Sequence, residues 1–422
     1  MREEGSENSI RTKCKAADSR AGKERMANLE LLRCVAMMMV VVLHYLGKGG
    51  LLPDLTEETL GSAGTAAWLL ESFCIVAVNV YMFISGYFLS MSSFKPSRLI
   101  RLWLQVWSYS VAAGLLGAVT GVMTETAFDM HFLLTLFLPV SMGHYWFMTS
   151  YVFLYLLLPF VGTAASKMTK QQMRIALGFL LFTFCGLKSV LPLRLEMDEQ
   201  GYNCLWYLCV FLTAAYVRRF CLNGSEEMAG KKKPSKRFSL QKRSCCLGMY
   251  VGGCLLIFAG TMLLRTVYLR TGSLGRMLGM CMEYNHLLPF LAAVGLFGVF
   301  YTLQIRGKAA AVIQKAAPHT LGVYLLHENL GLRYTWQRWF QAERINSVNS
   351  AAAHGSSAIE GVVNLFLWTA IAVICVFVCG ILADIVRKGI FHILHRGLLC
   401  FRPYRGVIAL IKRADEICYC AK

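Results

Sequence analysis

Three ionisable residues stand in a stretch that is otherwise apolar: Glu30, Arg33 and His44, within N-L-E-L-L-R-C-V-A-M-M-M-V-V-V-L-H-Y. If this stretch is helical, the eleven steps from Arg33 to His44, at about 100° each, bring them to within about 20° of one another. They then share a face, about 16 Å apart along the axis. Glu30, one turn before Arg33, lies on that face and can orient or neutralise the guanidinium. A guanidinium suits phosphate recognition. An imidazole ionises near neutral pH and suits proton transfer or nucleophilic attack. Each residue also has a plainer reading. A Glu–Arg pair one turn into a helix can snorkel to lipid headgroups, and a histidine near a helix end can be an interfacial or packed residue. It is their combination on one face, inside an apolar run, that points to a site.

Further residues carry a weaker signal of the same kind. Ser85-Gly86 closes V-N-V-Y-M-F-I-S-G-Y-F-L-S, and serves either close helix approach or a binding role. Arg98 and Arg101, three apart at a helix start, are either phosphate ligands or topology signals. His144-Tyr145-Trp146-Phe147 opens another apolar run, where interfacial aromatics are common. His327 and Glu328 end a later run, as an acceptor-binding pair or as the polar end of a helix.

The elements that must position these residues follow from composition. Of 422 residues, 56% are hydrophobic and only 16% charged, whereas a soluble domain carries about a quarter charged residues. The formal net charge of +19 comes from Lys and Arg clustered in short segments between apolar runs. That is the pattern of membrane topology, and nucleic acid is not indicated. Apolar runs near the length of a span fall at 29–46, 66–90, 99–123, 145–164, 174–193, 203–220, 246–266, 285–304, 309–330 and 361–386. A shorter run, His131 to Val140, is too brief to cross and is expected in the interface or re-entrant. Assigned to alternate sides, the segments between runs carry 33 and nine basic residues, Arg33 aside. The expectation is an all-α, polytopic bundle of about ten transmembrane helices with both termini cytoplasmic. Residues 1–27 read as a disordered cytoplasmic segment, 28–386 as the membrane domain, 223–243 as a basic cytoplasmic linker, and 387–422 as a basic cytoplasmic tail. The first run is read as a retained anchor. The cysteines lie mostly inside apolar runs, with no zinc-site spacing and no disulfide framework. No internal repeat is visible, which weighs against an inverted-repeat transporter.

Four segments, in order, resemble acyltransferase family three, the integral membrane O-acyltransferases of bacterial surface polysaccharides. The opening stretch is similar to the family's motif of an arginine, ten residues and a histidine, matched here by Arg33 and His44, with Glu30 at its usual acidic position. V-N-V-Y-M-F-I-S-G-Y-F-L-S resembles the aromatic-rich Ser-Gly segment, with Arg98 and Arg101 as its trailing arginines. H-Y-W-F-M resembles the family's His-x-Trp-Phe-Leu, and T-L-G-V-Y-L-L-H its late Gly-x-Tyr-Leu-x-His segment. Asn79 departs from the pattern, since many members carry an acid there.

The resemblance implies transfer of an acyl group, usually acetyl, from cytoplasmic acyl-coenzyme A to a hydroxyl outside. The acceptor would be a surface polysaccharide or a lipid-linked sugar, at a bacterial plasma membrane. On this reading Arg33, Ser85, Arg98 and Arg101 bind the coenzyme, and His44 is catalytic with Arg33 and Glu30. His144, Trp146, His327 and Glu328 face the acceptor, and no metal is needed. A succinyl donor is equally compatible with the residues. The rival from another class is a transporter or flippase of lipid-linked sugars, using the same buried charges as a path.

Overall fold

The computed structural model describes residues 26–119, 130–191, 196–222, 243–346 and 358–420. Among these residues all regular structure is helical, as an apolar chain in hydrocarbon requires, because a helix satisfies its own backbone polar groups. The helices are α1 (Ala27–Lys48), α2 (Gly61–Cys74), α3 (Ala77–Leu89), α4 (Pro96–Val119), α5 (Met130–Phe137), α6 (Trp146–Lys167) and α7 (Lys170–Leu181). They continue with α8 (Cys204–Tyr216), α9 (Arg243–Thr271), α10 (Leu287–Tyr301), α11 (Gly307–Ala316), α12 (Thr320–His327), α13 (Ala358–Leu398) and α14 (Arg402–Cys420). Helix α7 runs on through a π-helical turn, Phe182–Gly186, to Val190.

Nine stretches among the described residues are long and apolar enough to cross a membrane, α2 and α3 counting as one. This is a polytopic helical membrane protein. The count differs from ten at 309–330, where Gln314, Lys315, Pro318 and His319 interrupt the apolar run. That segment forms two shorter helices, α11 and α12, joined by a tight turn at Ala317–His319. The short run at His131 to Val140 forms the eight-residue α5, which packs on α4. Residues 1–25 and 223–242, read as a disordered segment and a linker, lie outside the described residues. The basic tail is helical: α13 continues past Val386 to Leu398, and α14 follows.

Helix α1 is the central post. Beyond Asn28 at its start, its strongly polar residues fall on the Glu30–Arg33–His44–Lys48 stripe, and it contacts α2, α3, α10, α11, α12 and α13. Asn28 fixes its start by donating from Nδ2 to the carbonyls of Phe300 and Tyr301 at 3.0 Å, at the open end of α10. Helices α9 and α13 instead expose Leu255, Leu256, Leu263, Ile374 and Leu382, as lipid-facing helices do.

Small residues set the closest crossings. A Cβ at Gly86 would lie 2.9 Å from the Phe211 Cα, so this glycine lets α3 and α8 touch backbone to backbone. At Gly380 a Cβ would meet the Val323 Cα at 2.5 Å, which seats α13 on α12. Asn79 braces the same region. Its Nδ2 donates to the Tyr284 carbonyl at 2.7 Å, and its Oδ1 accepts from Trp206 Nε1 at 2.8 Å. With both ends of the amide satisfied and the side chain buried, the departure from an acid here serves packing.

A buried carboxylate ties α4, α12 and α13 together. Asp384 has no solvent exposure. It meets His319 Nδ1 at 2.7 Å, Arg387 Nε at 2.8 Å, Gln105 Nε2 at 3.0 Å and Tyr109 Oη at 3.3 Å.

Candidate active site

The polar stripe of α1 borders a cavity of about 780 Å³ that follows the helix for most of its length. Glu30, Arg33, Ser85 and Arg98 line one end, and His44, Lys48, Glu328 and Arg333 line the other. Between them the wall is apolar and aromatic, with Met37, Val40, Tyr81 and Tyr324 among its residues. The sequence-derived stripe is therefore one wall of a single chamber, its two polar ends about three helical turns apart.

At the arginine end, Arg33 Nη1 donates to Glu30 Oε2 at 2.8 Å, with Arg33 partly exposed and Glu30 buried. Tyr81 Oη donates to the Arg33 carbonyl at 2.8 Å, which holds α3 against this turn of α1. Arg98 is exposed and lies over the Tyr155 ring at 5.6 Å. It borders the cavity mouth, and Ser85 lines the wall. Arg101 does not join them. It is exposed, its Nε bonds the Ser97 carbonyl of its own helix at 3.1 Å, and it does not line the cavity.

At the histidine end, α12 brings His327 and Glu328 against α1. His44 Nδ1 lies 2.9 Å from His327 Nε2 and 3.2 Å from Glu328 Oε1. His327 Nδ1 lies 2.6 Å from the Val323 carbonyl, which can only accept, so this nitrogen carries the proton. His327 Nε2 is then an acceptor, as is the Glu328 carboxylate. Both neighbours of His44 Nδ1 therefore ask it to donate, and the lone pair of His44 falls on Nε2. No partner occupies Nε2 among the described residues, and the His44 side chain is 21% exposed at the cavity wall.

Glu328 is buried and carries its own counter-charges. Lys48 Nζ bonds both carboxylate oxygens, and Arg333 Nη2 lies 3.6 Å from Oε2. The surroundings fix this cluster. Gln337 Nε2 donates to the His44 carbonyl at 3.3 Å, Tyr145 Oη donates to the Leu325 carbonyl at 3.0 Å, and Asn329 Nδ2 donates to the Tyr109 carbonyl at 3.0 Å. Tyr324 and His327 flank the His44 ring, with centroids at 6.5 and 5.1 Å.

Three residues expected on the acceptor side, His327, Glu328 and His144, are placed otherwise. His327 and Glu328 contact His44 itself, so their geometry suits orienting the imidazole more than meeting a second substrate. His144 does not line the cavity. It packs edge-on to Tyr145, with ring centroids 4.3 Å apart, and its buried Nε2 has no partner among the described residues. Burial, assisted by Arg333, pushes its imidazole down to about 4. Trp146 does line the cavity.

His44, His327 and Glu328 offer three ligand atoms within 4.8 Å of one another, the kind of grouping that can hold a metal ion. Two ligands of a tetrahedral zinc, each about 2.0–2.1 Å from it, stand about 3.4 Å apart, whereas the imidazole nitrogens here are 2.9 Å apart. Lys48 occupies both carboxylate oxygens as well. As they stand, the three groups are joined by hydrogen bonds and by the Lys48 ion pair.

Lys48, Arg333 and Glu71 line the cavity without having been singled out in the sequence. Lys48 stands four residues after His44, hence on the same helix face, and Glu71 is an acid inside an apolar run. Both signals were available. Nothing local marks Arg333, which is drawn in by Glu328.

Searches of curated proteins and of solved structures return no match. A family model described as an acyltransferase domain matches residues 26–384, from the turn before α1 to Asp384 in α13. Most of the chain, and the whole wall of the cavity, thus lies within the match, and the chain belongs to acyltransferase family three, a family of membrane acyltransferases.

Proposed function

We propose that this membrane acyltransferase moves an acyl group, usually acetyl, from cytoplasmic acyl-coenzyme A to a hydroxyl of an extracytoplasmic polysaccharide or lipid-linked sugar. The observation that carries the reading is the single cavity with guanidiniums at one end and an imidazole with a free nitrogen at the other. Coenzyme A is a polyanion with a long, slender arm ending in the thioester. Its phosphates suit Arg33 and Arg98, which present planar donor forks, and its arm suits the apolar channel along α1. The bacterial plasma membrane is the setting this donor and acceptor imply.

The chemistry balances with this chain's residues. The acceptor hydroxyl gives its proton to His44 Nε2 as its oxygen attacks the thioester carbonyl. The carbon–sulfur bond then breaks, and the coenzyme A thiolate leaves with the proton taken back from His44. Glu328 and His327 hold the ring in the tautomer that makes Nε2 the base, and the Glu328 carboxylate offsets the charge of the imidazolium that forms. The same nitrogen can attack the thioester first and pass the acyl group through an acyl-imidazole.

The test is purified protein in lipid nanodiscs with radiolabelled acetyl-coenzyme A, alongside succinyl-coenzyme A. Steady consumption of the acetyl donor, with label appearing on an added glycoside, is expected. Translocation of a lipid-linked sugar by protein that consumes neither donor would instead establish the transporter reading.

A further inference from the structure

Glu71, a half-buried acid, stands apart from the buried acids of the bundle. Glu30 has Arg33, Glu283 has Lys188, Glu328 has Lys48 and Asp384 has Arg387. Glu71 has no ion-pair partner among the described residues, and its buried Oε2 has no hydrogen bond. An unpartnered acid within an apolar span is costly, and such groups mark substrate sites. Glu71 lies on α2, the helix that follows α1 and packs beside it, and lines the same cavity as His44.

An aromatic group shares the cavity wall with this carboxyl group. Trp146, Tyr202 and Tyr284 all line the cavity. Their ring centroids are 4.5 Å apart for Trp146–Tyr202, 5.9 Å for Trp146–Tyr284 and 4.7 Å for Tyr202–Tyr284. The Glu71 carboxyl lies within electrostatic reach of both tyrosines. A run of ring contacts leads from this group to the reactive end. Phe147 is 5.9 Å from Trp146 and 6.3 Å from Tyr324, and Tyr324 is 6.5 Å from His44. Tyr202 is 42% exposed, so the group also reaches the outside of the bundle.

We propose that Glu71, Trp146, Tyr202 and Tyr284 form a subsite that holds a sugar ring of the acceptor in the chamber that His44 lines, and that the ring it takes is uncharged. The proposal rests on the acyl-transfer reading and adds where the acceptor sits and what it carries. A sugar ring is apolar across its C–H faces and polar around its rim. Aromatic faces cover the former, and a few placed polar groups read the latter. Glu71 can accept from two neighbouring hydroxyls when ionised, or donate to one and accept from another when protonated. None of these four side chains offers a cation. Lys48 and Arg333, the cations of the reactive end, are committed to Glu328. A carboxylate on the sugar would be taken out of water here with no cation to pair it, a cost that stands whether Glu71 is ionised or protonated.

The experiment uses the full chain in nanodiscs with acetyl-coenzyme A and two matched panels of probes, neutral methyl glycosides and the corresponding methyl uronides. Donor hydrolysis and transfer to the sugar are recorded separately. Transfer to neutral glycosides and not to uronides is expected. Glu71→Gln should raise the acceptor KM by about ten- to a hundredfold, the value of one hydrogen bond to a charged group, with donor affinity unmoved. Tyr202→Ala, at an exposed position that spares the fold, should also raise the acceptor KM. Transfer that favours uronides, an acceptor KM unmoved in both variants, or hydrolysis with no transfer to any glycoside would overturn the subsite. A wild-type protein that consumes no acyl-coenzyme A would overturn the underlying reading instead, so the two failures are distinct.

Discussion

Two carboxylates in this bundle are furnished in nearly the same way. Glu328 has His44, Lys48 and Arg333 around it; Asp384 has His319, Arg387 and Lys388. Both are buried, and both sit where α12 meets a long helix. Their difference lies in the histidine and in access. His44 borders the cavity and keeps Nε2 without a partner among the described residues, whereas neither His319 nor Asp384 lines the cavity. Asp384 also takes hydrogen bonds from Gln105 and Tyr109, so that it links three helices. The proposed centre has an open nitrogen facing a chamber large enough for substrate, and the Asp384 cluster has none.

The largest effect that can break this comparison is in the two histidines. On the proposed reaction, His44→Ala should lower transfer per inserted molecule by about a hundred- to ten-thousandfold, the usual cost of losing a general base. His319→Ala should leave that rate within the wild-type range while lowering yield. Equal losses in the two variants, measured as label transferred per mole of inserted protein, would erase the distinction drawn between the clusters.

The carboxylates come next. Asp384→Asn leaves Arg387 without its buried partner, a change that typically costs about 3–5 kcal/mol. It should appear as a lower thermal midpoint, with the rate per folded molecule retained. Glu328→Gln should instead reduce the rate itself. Losing a charge-assisted bond to the imidazole costs roughly 1.5–3 kcal/mol, about ten- to a hundredfold. A Glu328→Gln protein that is unstable yet turns over normally would make this cluster the structural one.

Smaller and more local effects belong to the arginines. Arg33→Ala and Arg98→Ala should each weaken donor binding by about ten- to a hundredfold, and Arg33→Lys should rescue only in part, since an ammonium lacks the planar fork. Arg101→Ala should change donor affinity by no more than about 0.5 kcal/mol, as for an ordinary surface residue. Isothermal titration with a non-hydrolysable acetyl-coenzyme A analogue separates the three arginines, and a large loss at Arg101 would return it to the coenzyme site.

The parts of this site legible in the sequence are those that one helix fixes. Glu30, Arg33 and His44 share a face because helical geometry permits nothing else, and α1 lines the cavity with all three. Lys48 obeys the same rule and was legible too, but counts equally well as a loop charge. The meeting of His44 with His327 was not legible, because 283 residues separate them and spacing says nothing about a contact made by packing. Only the resemblance set T-L-G-V-Y-L-L-H beside the opening motif as parts of one family pattern. The fold divides in the same way. Apolar runs announce the long helices, while the division of 309–330 into two short helices falls at Ala317–His319, where Pro318 and His319 meet neighbours outside the run. His319 finds one in Asp384. Asn79 reads as a lost acid in the sequence, and in the fold as a brace satisfied at both ends.

On the proposed reaction the two ends of the cavity have separable tasks, the guanidiniums binding donor and His44 moving the proton. The most direct test measures donor binding and transfer rate on the same preparations of His44→Ala and Arg33→Ala. A crossed result is expected. His44→Ala should bind donor as the wild type does and fail to transfer, while Arg33→Ala should bind donor poorly and recover much of its rate when donor is saturating. A His44→Ala protein that transfers acyl groups at the wild-type rate would contradict it.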